Sequence, residues 1–200
     1  MKPAGLFAPL PPWPFHGLEP HWANLIVVDP PWRFENYSAA GEKKGPQAQY
    51  PETYPPEEIA SLFPVGELAD INCLALVWAT WPLIQRQMAV LHTWKLELRS
   101  VLVWQKVSRH GRPMIGTGYR VRSMCEPVLV ATRGNPRHEP FPGLFAGVRR
   151  EHSRKPQVFF DLIDWKCPAL TRRVELFARQ RRPGWRSWGK EIDRFAEVPP

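Results

Sequence analysis

The chain has 200 residues, with 27 lysines and arginines against 19 acids and a formal charge of +8, and its isoelectric point is near 9.8. That length holds one domain with a sizeable core rather than two with independent cores, and the positive balance suits a protein that meets a polyanion. Three widely spaced cysteines without a C-x-x-C pair argue against a disulfide framework or a thiolate metal site; no long apolar run is present, and prolines at 3, 9, 11, 12 and 14 break the N-terminus, so a soluble, cytoplasmic protein is expected.

Residues 1–20 are Pro-rich without periodicity and read as an extended N-terminal arm, leaving 21–200 as a single domain. Leu25–Val28 is a continuous apolar run of the kind buried on both faces of a parallel sheet. A long polar stretch, 33–56, follows and has the composition of a functional loop. Pro56-Glu-Glu opens a short helix through Phe63, with proline at an early helical position and acids in its first turn. Asn72–Trp78 is a second strand, and Pro82–Trp94 an amphipathic helix burying Leu83, Met88, Leu91 and Trp94. Leu98–Trp104 gives a third strand, then a basic glycine-containing loop over 106–122. Pro127–Thr132 and Leu144–Val148 are further strands, Gln157–Trp165 a helix, and Arg173–Arg179 and Gly184–Trp188 the last strands. This alternation predicts an α/β sandwich around a mostly parallel sheet. Of the ten tryptophans, most, including Trp78, Trp94, Trp104, Trp165, Trp185 and Trp188, fall on apolar elements and read as core or near-core residues. His92, His138 and His152 have no metal-ligand spacing, and no metal is expected.

Asp29-Pro30-Pro31-Trp32 closes the first buried strand where a site would open. Taken alone it reads equally as a strand-ending turn, since proline cannot sit in a central ladder. As chemistry it suits methylation of an exocyclic base nitrogen. Such a nitrogen is a poor nucleophile, its lone pair being delocalised into the ring, and it needs two acceptors for its two hydrogens. The Asp29 carboxylate and the Pro30 carbonyl can supply them. Two prolines stiffen the turn, and Trp32 offers a face for the base to stack on.

Other segments carry a wider resemblance: Leu76-Val-Trp-Ala-Thr80, Trp104-Gln-Lys106, Gly118-Tyr-Arg120 leading to Glu126, Gly134-Asn-Pro136, Arg150-Glu-His-Ser-Arg-Lys-Pro156, Val174-Glu-Leu-Phe-Ala-Arg179 and Gly184-Trp-Arg-Ser-Trp-Gly189. In this order, from about residue 24 to 191, they resemble the Asp-Pro-Pro-Trp adenine-N6 methyltransferases, the family named for the seventy-kilodalton subunit of the eukaryotic mRNA adenosine methyltransferase. The resemblance implies a Rossmann-like methyltransferase sandwich, mostly parallel with one antiparallel strand, in which the catalytic motif precedes the main cofactor-binding strand. It implies transfer of a methyl group from S-adenosyl-L-methionine to adenine N6 of a nucleic acid, DNA being favoured over RNA. Asp29, Pro30, Pro31 and Trp32 are then catalytic. Asp29, Lys155, Glu175, Leu176, Arg179, Lys190 and Glu191 hold the cofactor, with Lys155 near its carboxylate, Arg179 near its ribose and Lys190 and Glu191 bordering its adenine.

Two departures from the family pattern stand out. Lys190 replaces a usual asparagine, and Pro-rich sequence lies where larger members carry an acidic residue upstream of the catalytic motif. Segments 33–54 and 149–157 look like gates over the site. Lys106, Arg109, His110, Arg112, Arg120, Arg122 and Arg154 are candidates for phosphate contact, and Tyr37 and Tyr119 for base stacking; solvated loop positions are the alternative for each. The target base must be flipped out or unpaired, because a stacked base is unreachable. Rival readings are a binding-only partner subunit and a methyltransferase for proteins or small molecules. A monomer and a homodimer both fit.

Overall fold

A computed structural model of the chain describes residues 12–33, 52–116, 120–151 and 153–195. Its elements are β1 (Ala23–Val28), α1 (Pro56–Leu62), β2 (Ala69–Trp78), α2 (Ile84–Thr93), β3 (Glu97–Val107), β4 (Cys125–Arg133), β5 (Leu144–Val148), α3 (Gln157–Lys166), β6 (Arg173–Leu176) and β7 (Trp185–Trp188). One seven-stranded sheet runs in the order β5-β3-β4-β2-β1-β6-β7. Among the described strands only β4 is antiparallel to its neighbours; β1, β2, β3, β5, β6 and β7 run the same way. The expected Rossmann-like sandwich, mostly parallel with one antiparallel strand, is the observed architecture, and Asp29–Trp32 follow β1, ahead of β6 in the chain.

The continuous apolar runs have a simple cause. Successive strand side chains point to opposite faces, and both faces are covered. Ile26 and Val28 of β1 join Ala75 and Val77 of β2 under α1 and α2, in a cluster that includes Ile59, Leu91 and Trp94. Leu25 and Val27 join Leu74, Leu76 and Trp78 on the other face, against Phe159, Phe160 and Ile163 of α3. The strand β1 thus has β2 on one side, reached through α1, and β6 on the other, reached from α3 on the opposite face. Such a reversal opens a crevice at the carboxyl ends of the strands, and Asp29 stands at that end of β1.

The described part of the Pro-rich segment packs onto the domain: Phe15 is fully buried, edge-on to Trp188 at 5.1 Å. The predicted helix from Pro82 begins as a 3-10 turn, Trp81–Leu83. In α2 the fully buried side chain one turn before Leu91 is Gln87 rather than Met88, which is only partly buried. The Gln87 amide oxygen accepts the Thr80 N–H at 2.9 Å, pinning the turn after β2. The strand predicted to reach Arg179 stops at Leu176, because Phe177 adopts a left-handed φ of 58° and turns the chain. Trp165 is 69% exposed rather than near the core, with the Lys166 ammonium 3.8 Å from its ring centroid.

Candidate active site

The turn after β1 is fixed from three directions. The Asp29 N–H points to the Leu176 carbonyl of β6, the Pro30 carbonyl accepts the Trp32 N–H at 2.9 Å, and the Pro31 carbonyl accepts the Tyr54 N–H at 3.0 Å. The Trp32 indole N–H donates to the Trp78 carbonyl at 2.9 Å, and the residue is 5% exposed. Its ring is therefore a buried anchor for the turn, which corrects the expectation of an open stacking face. The Pro30 carbonyl keeps one lone pair for another donor.

What the turn presents is the Asp29 carboxylate, at the centre of a chain of alternating charges. Lys155 Nζ lies 3.0 Å from Asp29 Oδ1, and Arg179 Nη1 lies 3.0 Å from Asp29 Oδ2. Lys155 Nζ is also 3.2 Å from Glu126 Oε2, whose other oxygen is 2.6 Å from Lys106 Nζ. On the far side, Arg179 Nε is 3.1 Å from Glu191, which also pairs with Arg194. These groups come from different elements. The antiparallel course of β4 explains one of them, since its first residues, Cys125 and Glu126, lie at the edge where the parallel strands end. Glu126 is registered against Trp104, two residues before Lys106.

The electrostatics follow from this crowding. Burial pushes the Glu126 carboxyl up, but the Lys155 and Lys106 ammoniums outweigh it and hold the group at about 2. Burial likewise opposes the charge on Lys155, and Asp29 and Glu126 reverse that, leaving its pKa raised. The Lys155 ammonium also sits 4.5 Å from the Trp78 ring centroid, a further stabilisation of the cation.

Deeper in the cleft, Glu175 at the end of β6 pairs with Arg182 at 3.1 Å, both side chains being nearly buried. Burial pushes the Glu175 carboxyl up to about 7 against the pull of that guanidinium. Arg182 also donates to Gln157 and lies 3.4 Å from the centroid of Phe160. Asp29, Lys155, Glu175, Arg179 and Arg182 line one cleft, which Phe195 borders. The Arg179 Nη1 further donates to the Ser153 carbonyl at 2.9 Å. Ser153 and Phe177 both have positive φ, at 66° and 58°, so left-handed residues shape two of the turns around the cleft.

Residues 23–191 match the MT-A70 family. The chain belongs to the MT-A70 family. It is 30% identical over 187 residues to the N6-methyladenosine RNA methyltransferase MTA1 of Pyricularia oryzae, covering 87% of this chain and 48% of that protein. It is 29% identical over 200 residues to the type II methyltransferase M.MunI of a Mycoplasma species, covering 88% of this chain and 81% of the other. It is 26% identical over 209 residues to the human N(6)-adenine-specific methyltransferase METTL4, covering 88% and 38%. The chain spans about half the length of the fungal MTA1 relatives, 48% and 53%.

Within this MT-A70 domain the residues expected to hold the cofactor divide. Asp29, Lys155, Glu175, Arg179 and Glu191 converge. The Leu176 side chain is fully buried, so it meets the site through its carbonyl. Lys190 is 77% exposed and pairs with Glu52, which also accepts the Tyr54 hydroxyl. Of the phosphate candidates, Lys106 is withdrawn onto Glu126, and Arg154 onto Gln180, Glu151 and the Phe195 ring. Arg109, Arg112 and Arg120 are exposed. Tyr37 and Tyr119 lie outside the described residues, as does most of the segment expected to be a gate after Trp32. Among the described residues no group of three or more His, Cys, Asp or Glu is placed to hold a metal, and no helix is long and apolar enough to cross a membrane.

Glu126 is the member that sequence reasoning places in a motif without giving it a role. Its signal is a lone acid at the head of an apolar strand, where an unpaired carboxylate is costly. Arg182 and Phe195 carry no comparable signal.

Proposed function

We propose that this chain is an S-adenosyl-L-methionine-dependent adenine-N6 methyltransferase acting on nucleic acid, with DNA the favoured acceptor. The observation that carries the reading is a carboxylate at the carboxyl end of a central strand, Asp29, set between Lys155 and Arg179 in one cleft. The donor set fits a methionine-derived sulfonium. Lys155 is a cation for its carboxylate, Asp29 an anion for its ammonium, and Arg179 a donor for ribose hydroxyls. When bound, the cofactor supplies an electrophilic methyl group.

The protein's own residues do the rest. Asp29 accepts one N–H of the adenine amino group and stabilises the positive charge that develops on nitrogen, while the free lone pair of the Pro30 carbonyl accepts the second N–H. Trp32 and Tyr54 keep the turn from relaxing, so the acceptors are oriented before the base arrives. Arg179 and Lys155 hold the Asp29 carboxylate in place until ligands share them. The net charge and the exposed Arg109, Arg112 and Arg120 favour a phosphate-bearing substrate. The name of the MTA1 relative supports RNA as the second reading.

The test is mass spectrometry of methylated nucleosides from DNA and, separately, RNA of cells expressing the wild type or Asp29→Asn. N6-methyladenine that rises with the wild type and not with the variant is expected. No N6-methylation of either polymer by a folded protein that receives donor would refute the reading.

A further inference from the structure

Lys106 lies outside the cleft, yet it is bound into the charge chain more tightly than most of its members. It stands on β3, its backbone N–H bonded to the Met124 carbonyl at 2.9 Å and its own carbonyl accepting the Met114 N–H at 2.9 Å. Its ammonium is 2.6 Å from Glu126 and 5.4 Å from the Trp104 ring centroid. Lys155 repeats the arrangement over Trp78, and the two indoles meet edge to face at 5.8 Å. Glu126 therefore has one ammonium on each oxygen. Lys155 faces two carboxylates at nearly equal distance, 3.0 Å to Asp29 and 3.2 Å to Glu126.

We infer that Lys106 is a positioning residue for methyl transfer: by satisfying Glu126, it leaves the Lys155 ammonium available to Asp29 and to the donor's carboxylate. The donor half of this statement rests on the function proposed above. The physical reason is competition. A carboxylate largely removed from water recruits whatever cation is within reach. With the Lys106 charge gone, both Glu126 oxygens compete for the one remaining ammonium. Lys155 precedes α3 on a connecting segment, and its four-carbon stem is flexible. It will swing from Asp29 to Glu126. Lys106, fixed on a strand and 21% exposed, is poorly placed to reach a phosphate while it holds Glu126.

The competition predicts a sign that a merely structural role does not. Removing the Lys106 charge alone should displace Lys155, and removing Glu126 as well should bring it back. In Lys106→Met, S-adenosylhomocysteine affinity by calorimetry should fall about tenfold, the scale on which loss of an orienting partner weakens a ligand-holding group. Lys106→Arg should stay near wild type, and Lys106→Met/Glu126→Gln should recover most of the loss. Lys106→Gln carries the same prediction if Lys106→Met does not fold.

The second readout needs no donor. The 15Nζ NMR signal of Lys155, identified by its loss in Lys155→Arg, should move in the unliganded single variant and return in the double variant. A Lys155 signal that does not move in a folded Lys106→Met or Lys106→Gln protein overturns the inference. So does a double variant that binds the probe no better than the single one. Unchanged probe affinity, with a nucleic-acid salt dependence reduced by one phosphate, would make Lys106 a phosphate contact instead. If the wild type binds no S-adenosylhomocysteine while the Lys155 signal moves and returns as described, the positioning role stands and the donor assignment fails.

Discussion

Replacing Glu126 by glutamine should make the stability of this protein less sensitive to acid, and the size of the effect can be worked from the site. The carboxyl is held at about 2 against an ordinary 4.5, because two ammoniums outweigh its burial. Its side chain is 25% exposed, so solvent screening is moderate. At 1.36 kcal/mol per tenfold change in proton affinity, the depressed pKa corresponds to roughly 3 kcal/mol of folding free energy at neutral pH. A depressed carboxylate pKa gives stability that is present above the unfolded value and lost as pH falls toward the folded one. The gap between wild type and Glu126→Gln should therefore be roughly 3 kcal/mol at pH 7 and should shrink steadily as pH falls from the ordinary carboxylate range toward 2. Urea denaturation at equilibrium, repeated across that range, measures it, since groups titrating alike in both proteins cancel in the difference. A gap that keeps the same size from pH 7 to pH 3 would refute the reasoning and mean that Glu126 is not held ionised by Lys106 and Lys155.

Three further outcomes are expected. Trp32→Phe removes the indole donor from the buried Trp78 carbonyl and should cost about 1–3 kcal/mol in the same denaturation assay. Gly66→Ala places a methyl 1.8 Å from the Trp94 carbonyl oxygen, a backbone atom that must move, so the melting temperature should drop by several degrees on a loss of about 1–3 kcal/mol. Charge reversal at the exposed Arg109 or Arg112 should weaken single-stranded nucleic-acid binding and lower its logarithmic salt slope by roughly 0.7 for each phosphate that the variant no longer neutralises, read by fluorescence anisotropy over a salt series.

The sequence by itself determined the central strands and their burial, because a sheet covered on both faces writes itself as unbroken apolar runs: Leu25–Val28 and Asn72–Trp78 fall inside β1 and β2, whereas Leu144–Val148, the edge strand β5, alternates exposed and buried positions. It also determined that Asp29 closes the first strand, since two prolines cannot continue a ladder. The tertiary structure decided what meets that carboxylate. Lys155 and Arg179 approach it from segments more than a hundred residues away, and nothing local to either marks its partner. Trp32 has the same chemistry whether it faces a base or the core; only the Trp78 carbonyl behind it decides for the core. Lys106 shows the point most plainly. In sequence it is one more cation at the start of a basic loop. In the fold, the antiparallel course of β4 brings Glu126 to its ammonium and Lys155 to the other side of that carboxylate, because the end of a strand fixes where its side chain stands while the sheet order chooses its neighbours.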